Sequence, residues 1–155
     1  MFEKLGRKSM YLDDLMPLIR EQLDSGSSVR IHPRGTSMLP MIREGVDSVV
    51  LSKLPEGLKK YEVILYQREN GKYVLHRLIK VGKDYTFIGD NQFEKEEGIT
   101  REQLIARVSS FYRGDKKISV DAPSYRFYCR AWYGSRGIRR IWRGFSALIQ
   151  RKKER

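Results

Sequence analysis

Asn70-Gly71 stands between Val63-Ile64-Leu65-Tyr66 and Tyr73-Val74-Leu75, two short runs of β-branched, aromatic and apolar residues. Both positions of this dipeptide tolerate positive φ, so its place between such runs predicts a two-residue hairpin. The strand pattern spreads in both directions. Val29 to His32 reads as a strand, Ser48 to Leu51 as a short apolar one, and the second hairpin arm continues through His76 to Val81. Gly82-Lys83-Asp84 turns into Tyr85 to Ile88, and Gly89-Asp90-Asn91 makes the next turn. Thr100, with Gln103 three residues on, looks like the cap of a short helix. Ile105 to Tyr112 and Ile118 to Val120 close the set around Gly114-Asp115. One helix precedes the strands, with Tyr11, Leu12, Leu15, Leu18, Ile19 and Leu23 at helical spacing. Pro17 requires that helix to begin near Asp14 or to bend there. The expectation is a mainly β protein: an N-terminal helix over residues 1–28, a β domain over 29–121 and a basic amphipathic tail over 122–155.

At 155 residues the chain supports one domain with a core. Its charge is unevenly distributed. Tyr125 to Arg155 hold ten Lys/Arg against one Glu, whereas the first 124 residues hold 21 against 18 Asp/Glu. The body is nearly balanced, and the tail is a cationic appendage of the kind that seeks anionic lipid, nucleic acid or an acidic protein face. The single cysteine, Cys129, excludes an internal disulfide. No apolar run approaches the ~20 residues of a membrane-spanning helix, and the start shows no apolar signal-peptide core, so the expected location is cytoplasmic.

A serine hydroxyl becomes a nucleophile only when a base takes its proton, and acyl transfer needs donors for the developing oxyanion. Ser37 lies in Gly35-Thr36-Ser37-Met38-Leu39-Pro40. Gly35 admits a close backbone approach, Met38 supplies an apolar anchor, and Pro40 keeps the segment irregular. Of the two histidines, His76 sits in an alternating strand, sharing one side with Leu78 while Leu75 and Arg77 take the other. A half-buried imidazole beside an exposed guanidinium, titrating near neutral pH, is the expectation. His32, the competing base, is adjacent to Pro33. Asp90 could accept from the imidazole or stabilise its own turn. Glu94, Glu96 and Glu97 follow closely, so the acid stays open. Two separated histidines, one cysteine and scattered acids offer no metal-ligand spacing, and no cofactor is expected.

The Ser-Met-Leu-Pro box, the apolar strand near Val49-Val50, Glu62-Val63-Ile64-Leu65-Tyr66, His76-Arg77-Leu78-Ile79 and Gly89-Asp90-Asn91 occur in a telling order. Together they resemble the superfamily of type I signal peptidases and LexA-like self-cleaving repressors, over about Val29 to Tyr112. The His-Arg pair resembles the histidine-base, endoplasmic-reticulum-type branch. The resemblance implies a signal-peptidase/LexA-like β-fold, Ser37 as nucleophile and His76 as general base. It points to an acid in the stretch starting at Asp90, which some relatives place where Glu96 stands here. It also implies an extended peptide bound as an added strand, with small side chains near the cut. Three departures stand out. Gly35 replaces a common hydroxyl residue, leaving the oxyanion to backbone N–H groups including that of Ser37. Gly45-Val46-Asp47 carries one residue more than the usual Gly-Asp. The membrane-spanning anchors of signal peptidases are not recognisable.

In the tail, Ile138, Ile141, Trp142, Phe145, Leu148 and Ile149 share one helical face, with Arg139, Arg140, Arg143 and Gln150 off it. Such a helix suits a membrane interface, with about 1 kcal/mol per basic residue from anionic lipid, or else packs on its own domain. These features point to a serine endopeptidase cleaving a peptide precursor or signal-like segment, cytoplasmic or peripheral on an anionic membrane. Two rivals remain. Seventeen aromatics and the basic tail suit a nucleic-acid-binding or regulatory protein, though no reader motif is present. The other is an inactive relative that binds peptides.

Overall fold

The Asn70-Gly71 turn forms, but one residue longer than the dipeptide suggests. In the computed structural model, which describes residues 12–153 and their side chains through residue 144, Arg68 N–H donates to the Lys72 carbonyl at 2.9 Å and Gly71 N–H to the Arg68 carbonyl at 2.9 Å. The loop is therefore Glu69-Asn70-Gly71, with Gly71 at φ 82°, the left-handed position that three-residue hairpins require. It joins β3 (Val63–Gln67) to β4 (Tyr73–Lys80), setting Tyr66 opposite Val74 and Ile64 opposite His76.

The remaining strands are β1 (Val29–Ile31), β2 (Asp47–Ser52), β5 (Tyr85–Ile88), β6 (Glu96–Ile99), β7 (Leu104–Arg113) and β8 (Lys116–Ser119). All eight form one antiparallel sheet in the order β1-β2-β7-β3-β4-β5-β6, with β8 also on β7. The ten-residue β7 holds the sheet together, pairing with β2 along one edge and with β3 and then β8 along the other. Thr100 starts a single 3₁₀ turn, Arg101–Gln103, and its N–H donates to Gln103 Oε1 at 2.9 Å.

Alternation along the strands divides the interior into two clusters. Val49, Leu51, Val63, Leu65, Ala106, Val108 and Phe111 belong to the larger. Helix α1 (Leu12–Asp24) caps it with Met16, Ile19 and Leu23, and α2 (Pro123–Gly134) with Tyr125 and Cys129. Ile64, Tyr66, Leu78, Phe87 and Leu104 form the smaller cluster, with Leu54 and Leu58 packed on them. Pro17 lies inside α1 on its exposed side, where the helical bond it cannot donate is replaceable by water. Tyr11 lies outside the described residues.

Residues 122–155, read from sequence as one basic tail, carry two helices. Pro123 opens α2, a position where its missing N–H costs nothing, and α2 is part of the core. Only α3 (Arg136–Lys153) extends beyond it. No helix among the described residues is long and apolar enough to cross a membrane.

The Ser37 loop is anchored from several directions. Met38, Met41 and Ile42 are buried in the larger cluster. Arg43 donates its backbone N–H, Nε and Nη2 to the buried Asp47 at 2.9–3.0 Å. Arg113 donates to the Met41 carbonyl at 3.0 Å. On the far side Asn91 N–H donates to the Ser37 carbonyl at 2.9 Å, and Asn91 Nδ2 to the Thr36 carbonyl at 3.2 Å. Gly89 makes that approach possible, because a Cβ there would lie 2.7 Å from both the Ser37 carbonyl oxygen and Gln92 Oε1. Gly89→Ala is expected to destabilise the protein by roughly 1–3 kcal/mol through this overpacking. Urea denaturation measures it, and an unchanged midpoint would show that the loop yields freely.

Candidate active site

His76 and Arg77 are neighbours on β4, so their side chains leave on opposite faces of the sheet. Each is 1% exposed. The half-buried imidazole and exposed guanidinium expected from sequence are thus both replaced by fully buried groups, and each burial has its own cause.

On the His76 face, Nδ1 lies 3.2 Å from the Tyr66 hydroxyl and 3.2 Å from Glu96 Oε1. The Tyr66 hydroxyl donates to Glu96 Oε2 at 2.7 Å. Arg68, just past β3, donates Nε to the same oxygen at 2.9 Å and its Nη2 to Oε1. Phe87 stacks on Tyr66 with ring centroids 4.6 Å apart. The register explains the assembly: Leu78 pairs with Phe87, and Phe87 pairs in turn with Glu96 on β6, so β3, β4 and β6 converge on one spot.

The electrostatics follow from burial. Loss of water pushes the His76 pKa down to about 4, although the Glu96 charge opposes this. Burial also works against the Glu96 carboxylate, but hydrogen bonds from Arg68 and Tyr66 and the nearby His76 outweigh it and hold its pKa below the usual value. Burial and the Glu96 hydrogen bond push the Tyr66 hydroxyl well above its usual range, so it stays protonated. An ionised Glu96 only accepts, and Tyr66 has spent its proton on Glu96. Both neighbours of Nδ1 are therefore acceptors, which puts the ring proton on Nδ1 and the lone pair on Nε2.

The opposite face holds an ion pair. Arg77 donates Nε to Asp90 Oδ1 and Nη2 to Asp90 Oδ2, both at 2.6 Å. Its Nη1 reaches the Tyr61 carbonyl at 2.9 Å, Cys129 Sγ at 3.0 Å and the Tyr125 hydroxyl at 3.3 Å. Burial disfavours the guanidinium charge, but the Asp90 carboxylate more than compensates and holds the pKa well above its usual value. Tyr61 is the only non-glycine residue with positive φ among those described, at 78°; Arg77 captures its carbonyl there. The turn beyond Asp90 is tied down as well, since Trp132 Nε1–H donates to the Asp90 carbonyl at 3.0 Å.

Of the two acids left open by the sequence, Asp90 gives both of its oxygens to Arg77, on the face of the sheet opposite His76. The carboxylate that meets the imidazole is Glu96. Ser37 reaches this corner through the main chain: its carbonyl is bound by Asn91 N–H and rests against Gly89. Arg77 pairs with Ile88, so the same register carried one residue further sets His76 opposite Gly89. The Ser37 loop and β4 thus meet at the Gly89–Asn91 turn. His32 is exposed just beyond β1, away from this network. Among the described residues no three His, Cys, Asp or Glu side chains cluster to hold a metal.

Tyr66 and Arg68 are the members that the sequence left out. No protein-family model matches this chain, and no curated protein or solved structure is significantly similar to it.

Asp90→Ala is expected to cost about 3–5 kcal/mol by stranding a buried guanidinium, with much of that recovered in the Arg77→Met/Asp90→Leu double variant. Chemical denaturation of the three proteins measures it. A near-neutral Asp90→Ala would remove the structural assignment.

Proposed function

We propose that this chain is a serine endopeptidase with a signal-peptidase-like fold, acting on an extended peptide. The observation that carries the proposal is the buried imidazole whose Nδ1 is flanked by Glu96 and Tyr66, adjoining a turn that binds the Ser37 main chain. A histidine held this way has one ring nitrogen committed to orientation and the other available as a base, which is the logic of a serine–histidine–carboxylate set.

In this mechanism His76 Nε2 takes the Ser37 proton as Oγ attacks the scissile carbonyl. The imidazolium that forms is stabilised by Glu96, and the ring passes its proton to the leaving amine. Water then hydrolyses the acyl-enzyme, with His76 acting as base again. Backbone N–H groups of the Ser37 loop, including that of Ser37, receive the oxyanion. Arg68 and Tyr66 hold Glu96 in its ionised, accepting form. β1, an edge strand of the described sheet, runs directly towards the Ser37 loop, and an extended peptide adding to that edge would deliver its carbonyl to the serine. The resemblance noted above suggests small side chains beside the scissile bond.

The working form of His76 is neutral. With its pKa lowered to about 4, activity should persist through mildly acidic pH and fall only as the ring protonates near pH 4, well below the roughly pH 6.5 of an ordinary histidine. A kcat/KM profile on a cleavable peptide tests this, and an acid limb at the ordinary value would contradict the burial effect. A serine-reactive phosphonate probe should label the wild type and not Ser37→Ala. Glu96→Gln should lower kcat by roughly 10²–10⁴-fold with little change in KM. Undiminished cleavage by His76→Ala would eliminate the mechanism.

A further inference from the structure

Helix α3 is amphipathic and lays three of its arginines on the domain, Arg136 and Arg139 partly buried and Arg143 from an exposed position. Arg136 donates to the Phe93 carbonyl, Arg139 to the Trp132 carbonyl at 2.6 Å, and Arg143 to the Asn91 carbonyl at 3.3 Å. The Arg139 guanidinium also stacks 3.6 Å from the Trp132 ring centroid. Half a helical turn round, Ile138, Ile141 and Trp142 are 65%, 60% and 72% exposed. The sequence repeats that apolar spacing at Phe145, Leu148 and Ile149, whose side chains lie outside the described part, as does that of Gln150. Helices of water-soluble domains place such a stripe against the core. Here Arg136, Arg139 and Arg143 satisfy the protein's own carbonyls and Ile138 and Ile141 face away, with Trp142 at the edge of the stripe beside the Leu39–Pro40 cleft.

We propose that the outward stripe of α3 docks on an anionic lipid bilayer, lying in the plane of the headgroups. Orientation and charge together select this occupant. A nucleic acid or an acidic protein could meet the exposed Arg140 but would leave Ile138 and Ile141 without an apolar contact. A second copy of this chain would bring its own net +12 to the contact, and like charges oppose such a pairing. A bilayer accepts isoleucine and tryptophan at the acyl boundary, while basic groups along the flank meet lipid phosphates. Arg140 is exposed for that role, and residues 136–153 include seven Lys/Arg and no Asp or Glu. The surface also adjoins the serine loop: Trp142, Trp132, Leu39 and Pro40 line one cleft of about 330 Å³. If Ser37 is the nucleophile proposed above, docking would bring it to a substrate emerging at the membrane, but the docking itself does not depend on catalysis.

Flotation of the full-length protein with phosphatidylcholine vesicles, with and without phosphatidylglycerol, tests the surface. Binding should require the anionic lipid and weaken with salt. Ile138→Ser/Ile141→Ser should weaken it by at least about tenfold at an unchanged melting temperature, while Ile138→Leu/Ile141→Leu should retain it. A blue shift of tryptophan emission on adding anionic vesicles to the wild type gives the same answer without a variant. Ser37→Ala should float like the wild type, which separates this surface from the peptidase mechanism. Three results would overturn the proposal: wild-type protein that floats with neither vesicle, a double serine variant that floats as well as the wild type, or a lipid-free dimer that the double serine variant abolishes.

Discussion

The buried Arg77–Asp90 pair is the constraint around which the other parts are arranged. A guanidinium out of water is tolerable only with a carboxylate in bidentate contact and its remaining donors occupied. Here those donors take a main-chain carbonyl, a phenol and a thiol, and the ligands come from the β2–β3 connection, the turn after β5 and α2. One cation therefore binds together segments far apart in sequence. It also fixes the Asp90 turn, and that turn holds the serine loop on one side and the α2–α3 corner on the other.

The network on the reverse face has a different electrostatic plan. It leaves the imidazole neutral and surrounds Nδ1 with acceptors, so that orientation comes from hydrogen bonding and not from an ion pair with His76 itself. Glu96 keeps its charge because Arg68 and Tyr66 donate to it. Burial sets the basicity of the ring, and the carboxylate sets which nitrogen carries the proton. These are separable effects, since desolvation acts on the whole imidazole whereas Glu96 and Tyr66 contact a single atom.

Most of the strand content was legible from alternation and turn residues, and so was the placing of Ser37 in a loop and of His76 in a strand. What escaped did so for physical reasons. A two-residue loop at Asn70-Gly71 would pair Tyr66 with Leu75 and send the phenol to the face away from His76. The observed three-residue loop shifts pairing by one, which reverses the faces, and only that register brings Tyr66 to the imidazole. β6 reads Glu-Glu-Gly-Ile, a poor strand sequence, and forms because β5 offers it a partner. Arg68 sits past the end of β3 and contributes through Glu96, so nothing local marks it. Asp90 carried two readings, orienting the imidazole or stabilising its own turn, because sequence order does not show that the sheet separates it from His76 by face. The stretch 122–155 read as one amphipathic tail because its charge hides the fact that its first helix, α2, packs on the core.

The alternation of His76 and Arg77 has a consequence for how such a chain can diverge. The pleat repeats every two residues, so gaining or losing one residue between Arg68 and Arg77 would exchange imidazole for guanidinium across the sheet. A neutral ring would then face Asp90, and a cation would lie beside Tyr66 and Glu96. Length variation there is tolerable only in even steps, while the exposed turn at residues 81–84 lies beyond both side chains and is free to grow. Descendants of this protein should therefore record their insertions at that turn and keep the hairpin at constant length.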